Sequence, residues 1–219
     1  MALRPHFLAL PLAVALAAIQ FHARLSAADE SSGRAIGTFR VTYYYVAEEA
    51  RQGSWPLYAP ACKRVLARTS REFHHALSLE GTGRLLDGRL LNFSERCSCA
   101  RPGHEGSRIC YEELNPREYP WGRGARVHGH YRPLAPFRSV AVDPAVIPFG
   151  TVLFIPAWRG RRWPDGSVSD GCFRAEDSGR LVKRRHLDLF AGTPLWAKRL
   201  ERRDGPRRAA VYVGAAHCR

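Results

Sequence analysis

The chain has 219 residues, 45% of them hydrophobic and 11% aromatic, enough to furnish one good-sized packed core and to exclude a disordered chain. With 19 Gly and 15 Pro, punctuation is too dense for an all-helical bundle, and short strands joined by turns are expected. Thirty-four Lys and Arg against 20 Asp and Glu leave a net charge of +14, which favours an anionic partner.

In chain order, Arg4 and His6 precede an apolar run from Phe7 to Ile19, and Ser26, Ala27 and Ala28 follow as small residues where a signal peptidase would cut. Residues 1–28 therefore read as a secretory signal peptide, with a buried first helix or a retained anchor as the alternative. The run has 13 residues, against the roughly 20 of a membrane-spanning helix, so no stable membrane insertion is expected. Its removal takes away Arg4 and Arg24 and no acid, so the exported chain stays basic. Residues 29–219 are expected to form one exported domain, a monomer. Export also argues against nucleic acid as the anionic partner.

From Phe39 to Tyr45 the residues Phe39, Val41, Tyr43 and Tyr45 alternate with Arg40, Thr42 and Tyr44, the period of a strand. Ser70 to Leu79 predicts a short helix with Ser70 as N-cap and Gly81 near its end. The near-mirror Arg84 to Leu91 around Asp87-Gly88 predicts a two-residue hairpin turn. Asn92 to Trp121 is polar and holds three Cys, and reads as a stapled surface excursion rather than a second domain. Strand signals then gather at 139–142, 151–155, 172–176 and 187–190, each bounded by Pro, Gly or Asp. Thr193-Pro194 opens a cationic surface helix running to Arg203, and 209–214 closes the chain as a strand.

Cys62, Cys97, Cys99, Cys110, Cys172 and Cys218 form an even set in an exported chain, which points to disulfides, with fifteen complete pairings open. Cys218 could pin the terminus to Cys172. Zinc is the competing reading, from Cys97, Cys99, His104 and Cys110 with His128 and His130, but these spacings lack the C-x-x-C pairs of common structural sites. No metal or other cofactor is expected.

Two stretches carry chemistry. Asp143 ends a strand before Pro144, and Asp177 and Asp188 lie either side of a basic loop, both next to strand-like residues; if those strands are neighbours, the two carboxylates can meet. Each acid taken singly also suits a turn or an ion pair. In their contexts, however, Asp143, Asp177 and Asp188 resemble the three-aspartate (3D) domain of bacterial cell-wall enzymes related to membrane-bound lytic transglycosylase A. The likeness spans residues 138–190: the family's Asp-x-Gly-Gly-x-Ile-x-Gly pattern and closing Asp fall on Asp177-Ser-Gly179 through Asp188, with Arg180 and Arg184 where the family has glycines. Thr42-Tyr43-Tyr44 and Glu80-Gly-Thr-Gly83 resemble two further family segments.

That resemblance implies a mainly β fold, a double-psi β-barrel, here with the stapled excursion and the short C-terminal helix. It implies non-hydrolytic cleavage of peptidoglycan glycan strands at the N-acetylmuramyl to N-acetylglucosaminyl bond, leaving 1,6-anhydromuramyl ends. Asp177 would be the acid/base, Asp143 and Asp188 its catalytic neighbours, and Tyr44, Glu80, Thr151 and Lys183 the substrate contacts. A non-catalytic, expansin-like wall-binding module on the same barrel is the alternative, and a hydrolase using paired carboxylates a third reading. The implied location is periplasmic or extracellular, at the cell wall.

Overall fold

The computed structural model describes residues 33–203 and 207–218; the expected signal peptide lies outside them. Among these residues, fourteen strands and two α-helices organise around a closed six-stranded barrel. Its strands are β1 (Arg34–Tyr45), β10 (Ser139–Ala141), β11 (Val152–Phe154), β12 (Cys172–Asp177), β13 (His186–Gly192) and β14 (Arg208–Val213). Around the barrel the order is β1-β13-β10-β12-β11-β14, with β1/β13 and β10/β12 parallel and the other pairs antiparallel. This is the expected barrel class. Alternation in β1 sends Phe39, Val41 and Tyr43 into a core shared with Val140, Leu153, Phe173, Leu187 and Leu189. Tyr44 on the opposite face joins a separate apolar cluster with Val46, Ala141 and Phe190 outside the barrel.

Against that outer face stands a second layer. Strands β2 (Ala47–Glu48), β5 (Thr82–Arg84), β6 (Leu90–Arg96) and β7 (Ile109–Leu114) form one sheet. The hairpin of β3 (Gln52–Tyr58) and β4 (Val65–Thr69) and helix α1 (Arg71–Glu80) pack with it over Leu57, Phe73, Leu77, Leu91 and Tyr111. A further hairpin, β8 (Arg123–Val127) with β9 (His130–Pro133), leads back to the barrel. The expected surface excursion at 92–121 is thus partly built into this layer, because Ile109, Tyr111 and Leu114 are buried among otherwise polar neighbours. The turn after β5 also differs from expectation. Leu85 pairs with Arg89, Gly88 N–H donates to the Leu85 carbonyl, and Gly88 takes φ +86°, a three-residue loop with a left-handed glycine.

Both predicted helices form. Ser70 Oγ accepts from Phe73 N–H at 3.1 Å and Gly81 ends α1 at φ +80°. Helix α2 (Pro194–Arg203) starts with Thr193 Oγ1 accepting from Trp196 N–H at 3.2 Å, and buries Ala197 and Leu200 against the barrel. The six cysteines pair as Cys62–Cys99, Cys97–Cys110 and Cys172–Cys218, the last as expected. Two of these bridges staple the excursion, and the third ties the start of β12 to the end of the chain. None of the described helices is long and apolar enough to cross a membrane.

Candidate active site

Asp177 ends β12 and Asp188 sits in β13, but the two strands are not neighbours: β10 runs between them. Ala141 of β10 pairs with Asp177 on one side and Asp188 on the other. At roughly 4.8 Å per strand the two backbones stand about 10 Å apart with Ala141 between them, near enough for the charge of Asp188 to act on Asp177. A β-bulge makes this possible. Val140 pairs with Ala175 and the next residue, Ala141, pairs with Asp177, so Glu176 is the extra residue. Strict alternation would have sent Asp177 inward with Phe173 and Ala175; the bulge turns it to the outer face, where Ala141 and Tyr44 lie.

Tyr44 is buried, its ring 5.0 Å from that of Phe190, and its hydroxyl donates to Asp177 Oδ2 at 2.9 Å. Trp121 packs behind Phe190 at 6.5 Å. This aromatic backing strips water from the acids. Burial, and after it the charge of Asp188, push Asp177 up to about 6, against the pull of hydrogen bonds from Ser178 N–H and Tyr44. Asp188 is likewise raised to about 6 by burial, although Thr42 donates to its Oδ1 at 2.7 Å. The Tyr44 phenol is driven up by burial and then by Asp177, so it stays protonated and can only donate to that carboxylate.

Glu80 arrives from the other layer. The left-handed end of α1 at Gly81 directs it to β1, where Tyr45 N–H donates to Oε2 at 3.1 Å, and burial raises it to about 8. Asp188 is one of the charges it feels, so three carboxyls with raised pKa share this face.

Asp143 behaves differently. Its Oδ2 accepts from Arg184 N–H at 2.8 Å and its Oδ1 from Ala145 N–H at 3.1 Å. These bonds hold it below the usual carboxylate range, with Lys183 adding to the effect. It fastens the loop between β12 and β13. Lys183 is exposed on that loop, and Thr151 spends its hydroxyl on the Pro148 carbonyl at 2.6 Å.

Over residues 138–212 the sequence matches the family model of the 3D domain. This stretch is similar to the 3D domain. No curated protein matches the sequence. Solved structures share the fold across both layers. Escherichia coli MltA with bound chitohexaose is 17% identical, with 81% of this chain and 71% of that one covered and a TM-score of 0.53. MltA from Neisseria gonorrhoeae is 14% identical, with 80% and 72% covered and a TM-score of 0.54. A membrane-bound lytic murein transglycosylase from Agrobacterium tumefaciens is 18% identical, with 84% and 74% covered and a TM-score of 0.51.

Within this stretch the two positions where the resembling motif has glycine are unequal. Arg180 has no left-handed backbone and sends its guanidinium 2.5 Å from Glu105 Oε2, tying the motif loop to the excursion. Arg184 holds φ +56°, a conformation glycine adopts freely. At the retained Gly179 a Cβ would come 2.8 Å from Val182 Cγ2, so a side chain there would force Val182 to shift, and Val182 is buried where the resembling motif has Ile. Sequence reasoning missed His186, whose Nε2 lies 2.7 Å from Thr42 Oγ1. The signal was present: His186 precedes Asp188 by two, which in a strand places both side chains on one face.

Proposed function

We propose that this protein is an exported peptidoglycan lytic transglycosylase with Asp177 as its single acid/base. The observation that carries the reading is Asp177 itself: a carboxyl raised to about 6, turned outward by a bulge, with Tyr44 on one oxygen and Asp188 across Ala141. Such a group is protonated in a useful fraction near neutral pH and is a competent base once ionised. It would donate its proton to the glycosidic oxygen as the bond from muramyl C1 breaks. The carboxylate so formed takes the proton of the muramyl C6 hydroxyl while that oxygen bonds to C1, closing the 1,6-anhydro ring and restoring the acid. Fold likeness to enzymes of this activity, one of them holding a chitohexaose, supports the substrate class.

Tyr44 fits the role of positioning Asp177, and Glu80, kept protonated, is suited to hydrogen-bond a sugar hydroxyl. Lys183 and Thr151 remain substrate contacts by resemblance alone. Three disulfides suit an oxidising compartment, consistent with the cell wall as the place of action. The expansin-like alternative drew on the two missing glycines, yet the loop keeps its left-handed turn with Arg184 in place.

The test is mass spectrometry of murein digested by the purified protein. Anhydromuramyl ends are expected, and Asp177→Asn should lower turnover by about 10³ to 10⁴ with binding retained. Reducing ends would make the protein a hydrolase, and binding without cleavage would make it a wall-binding module.

A further inference from the structure

The Thr42 hydroxyl has one proton and two claimants. Its Oγ1 lies 2.7 Å from Asp188 Oδ1 and 2.7 Å from His186 Nε2. On the far side of the ring, His186 Nδ1 lies 3.2 Å from the Leu181 carbonyl, which can only accept, so Nδ1 must carry a proton for that bond to exist. With Nδ1 protonated, a neutral ring leaves Nε2 as an acceptor, and both ends of the chain then ask Thr42 to donate. One hydroxyl cannot serve both. All three hydrogen bonds are satisfied together only if one more proton resides in the chain.

That proton has two places. In one arrangement Asp188 is protonated and donates to Thr42, which donates to neutral His186. In the other, His186 is an imidazolium that donates from Nε2 to Thr42, which donates to the Asp188 carboxylate. The two interconvert by moving two protons, Nε2–H to Thr42 Oγ1 and the Thr42 proton to Asp188 Oδ1, with nothing gained or lost overall.

We propose that Asp188, Thr42 and His186 form a proton-sharing chain that lets Asp188 exchange charge for neutrality as Asp177 does the reverse. This rests on the reading of Asp177 as the acid/base. While Asp177 holds its proton, an ionised Asp188 across Ala141 helps keep it there. Once Asp177 has given its proton to the leaving sugar, Asp188 draws the shared proton from His186, and two adjacent carboxylates are avoided. The surroundings permit the exchange. Arg40 on β1 faces both ends of the chain and favours the ionised Asp188 over the charged ring. Glu201 of α2 faces Asp188 and favours its protonated form, while Glu80 of α1 also faces Asp188 and is itself raised by that charge. Tyr44 on β1 and Asp177 on β12 also neighbour Asp188 among the described residues. Burial weighs on both ends, lowering His186 and raising Asp188, toward the neutral arrangement. Asp188 and His186 are thus positioning residues for Asp177, acting through its charge.

Nitrogen-15 and carbon-13 NMR of the histidine ring and the aspartate carboxyls tests this without reference to activity. In the wild-type protein and in Asp177→Asn, His186 should keep its proton on Nδ1 between pH 5 and 7, and Asp188 and His186 Nε2 should titrate with one shared midpoint. In Thr42→Val the midpoints should separate by a pH unit or more. A neutral ring protonated on Nε2 beside an ionised Asp188, or two independent midpoints in the wild type, overturns the proposal. In murein digestion, Thr42→Val should lower turnover at least tenfold with KM changed less than twofold, and Thr42→Ser should restore it. His186→Gln, which can still donate to Thr42 but cannot pass a proton, should lose turnover similarly; a wild-type rate and pH profile in that variant also overturns the proposal. Should the protein cleave nothing, the spectra still decide the proton chain while the catalytic reading alone fails.

Discussion

At Arg184 the backbone sits at φ +56° while its N–H donates to Asp143, so the left-handed turn and the loop anchor are the same residue. A side chain with a Cβ pays about 1–2 kcal/mol for that conformation, and glycine recovers it less the entropy of a freer unfolded chain. Arg184→Gly should therefore raise the unfolding free energy by about 0.5–1 kcal/mol and leave the Asp143 hydrogen bond in place, as urea denaturation would show. Asp143 and Asp177 illustrate how far identical side chains diverge at this scale. Two backbone donors keep Asp143 ionised, whereas burial and a neighbouring charge raise Asp177. The motif spacing announced both acids, but not this division, since a pKa depends on donors and walls brought from elsewhere in the chain.

Among the elements, the helices were the most legible because their ends are local. Ser70 caps α1 through a bond to a residue three positions on, and Gly81 closes it. Ser70→Ala should cost about 1 kcal/mol in stability, again measured in urea, with activity preserved because Glu80 lies at the opposite end of the helix. The barrel strands were legible as strands from their alternation, yet their order was not. Whether β12 and β13 lie side by side was left open by the sequence, and β10 comes between them. The bulge at Glu176 was equally hidden: an extra residue is visible only against the register of a partner strand.

For the molecule as a whole, stability should fall as the solution turns alkaline. Glu80 is raised from 4.5 to about 8, so the folded state holds a proton that the unfolded chain has already lost. A group raised in this way favours the fold most below its ordinary value, and that contribution is lost as pH rises through 8. Between pH 6.5 and 8.5 the raised aspartates are mostly ionised, and the lowered histidines His74 and His186 oppose the trend only near pH 6.5, where the unfolded chain still holds part of their protons. Glu80 then dominates the slope. With its partial exposure discounted, the expected loss is about 1–2 kcal/mol, read as a lower urea midpoint at pH 8.5 than at 6.5 with disulfides intact. Glu80→Gln should flatten the difference. An unchanged slope in that variant would assign the effect to another group.

The chain's sequence by itself determined the composition class, both helix boundaries, the barrel strands and the three aspartates of the motif. Each of these is written in neighbouring residues: a cap three positions from its donor, a period of two, a spacing within one loop. Only the tertiary structure decided that Ala141 separates Asp177 from Asp188, that Glu80 crosses from the second layer to meet them, and that Thr42 stands between Asp188 and His186. Those contacts join residues 35 to 146 positions apart. Their energies come from burial and from hydrogen bonds that exist only once the barrel has closed, so no local pattern could have carried them.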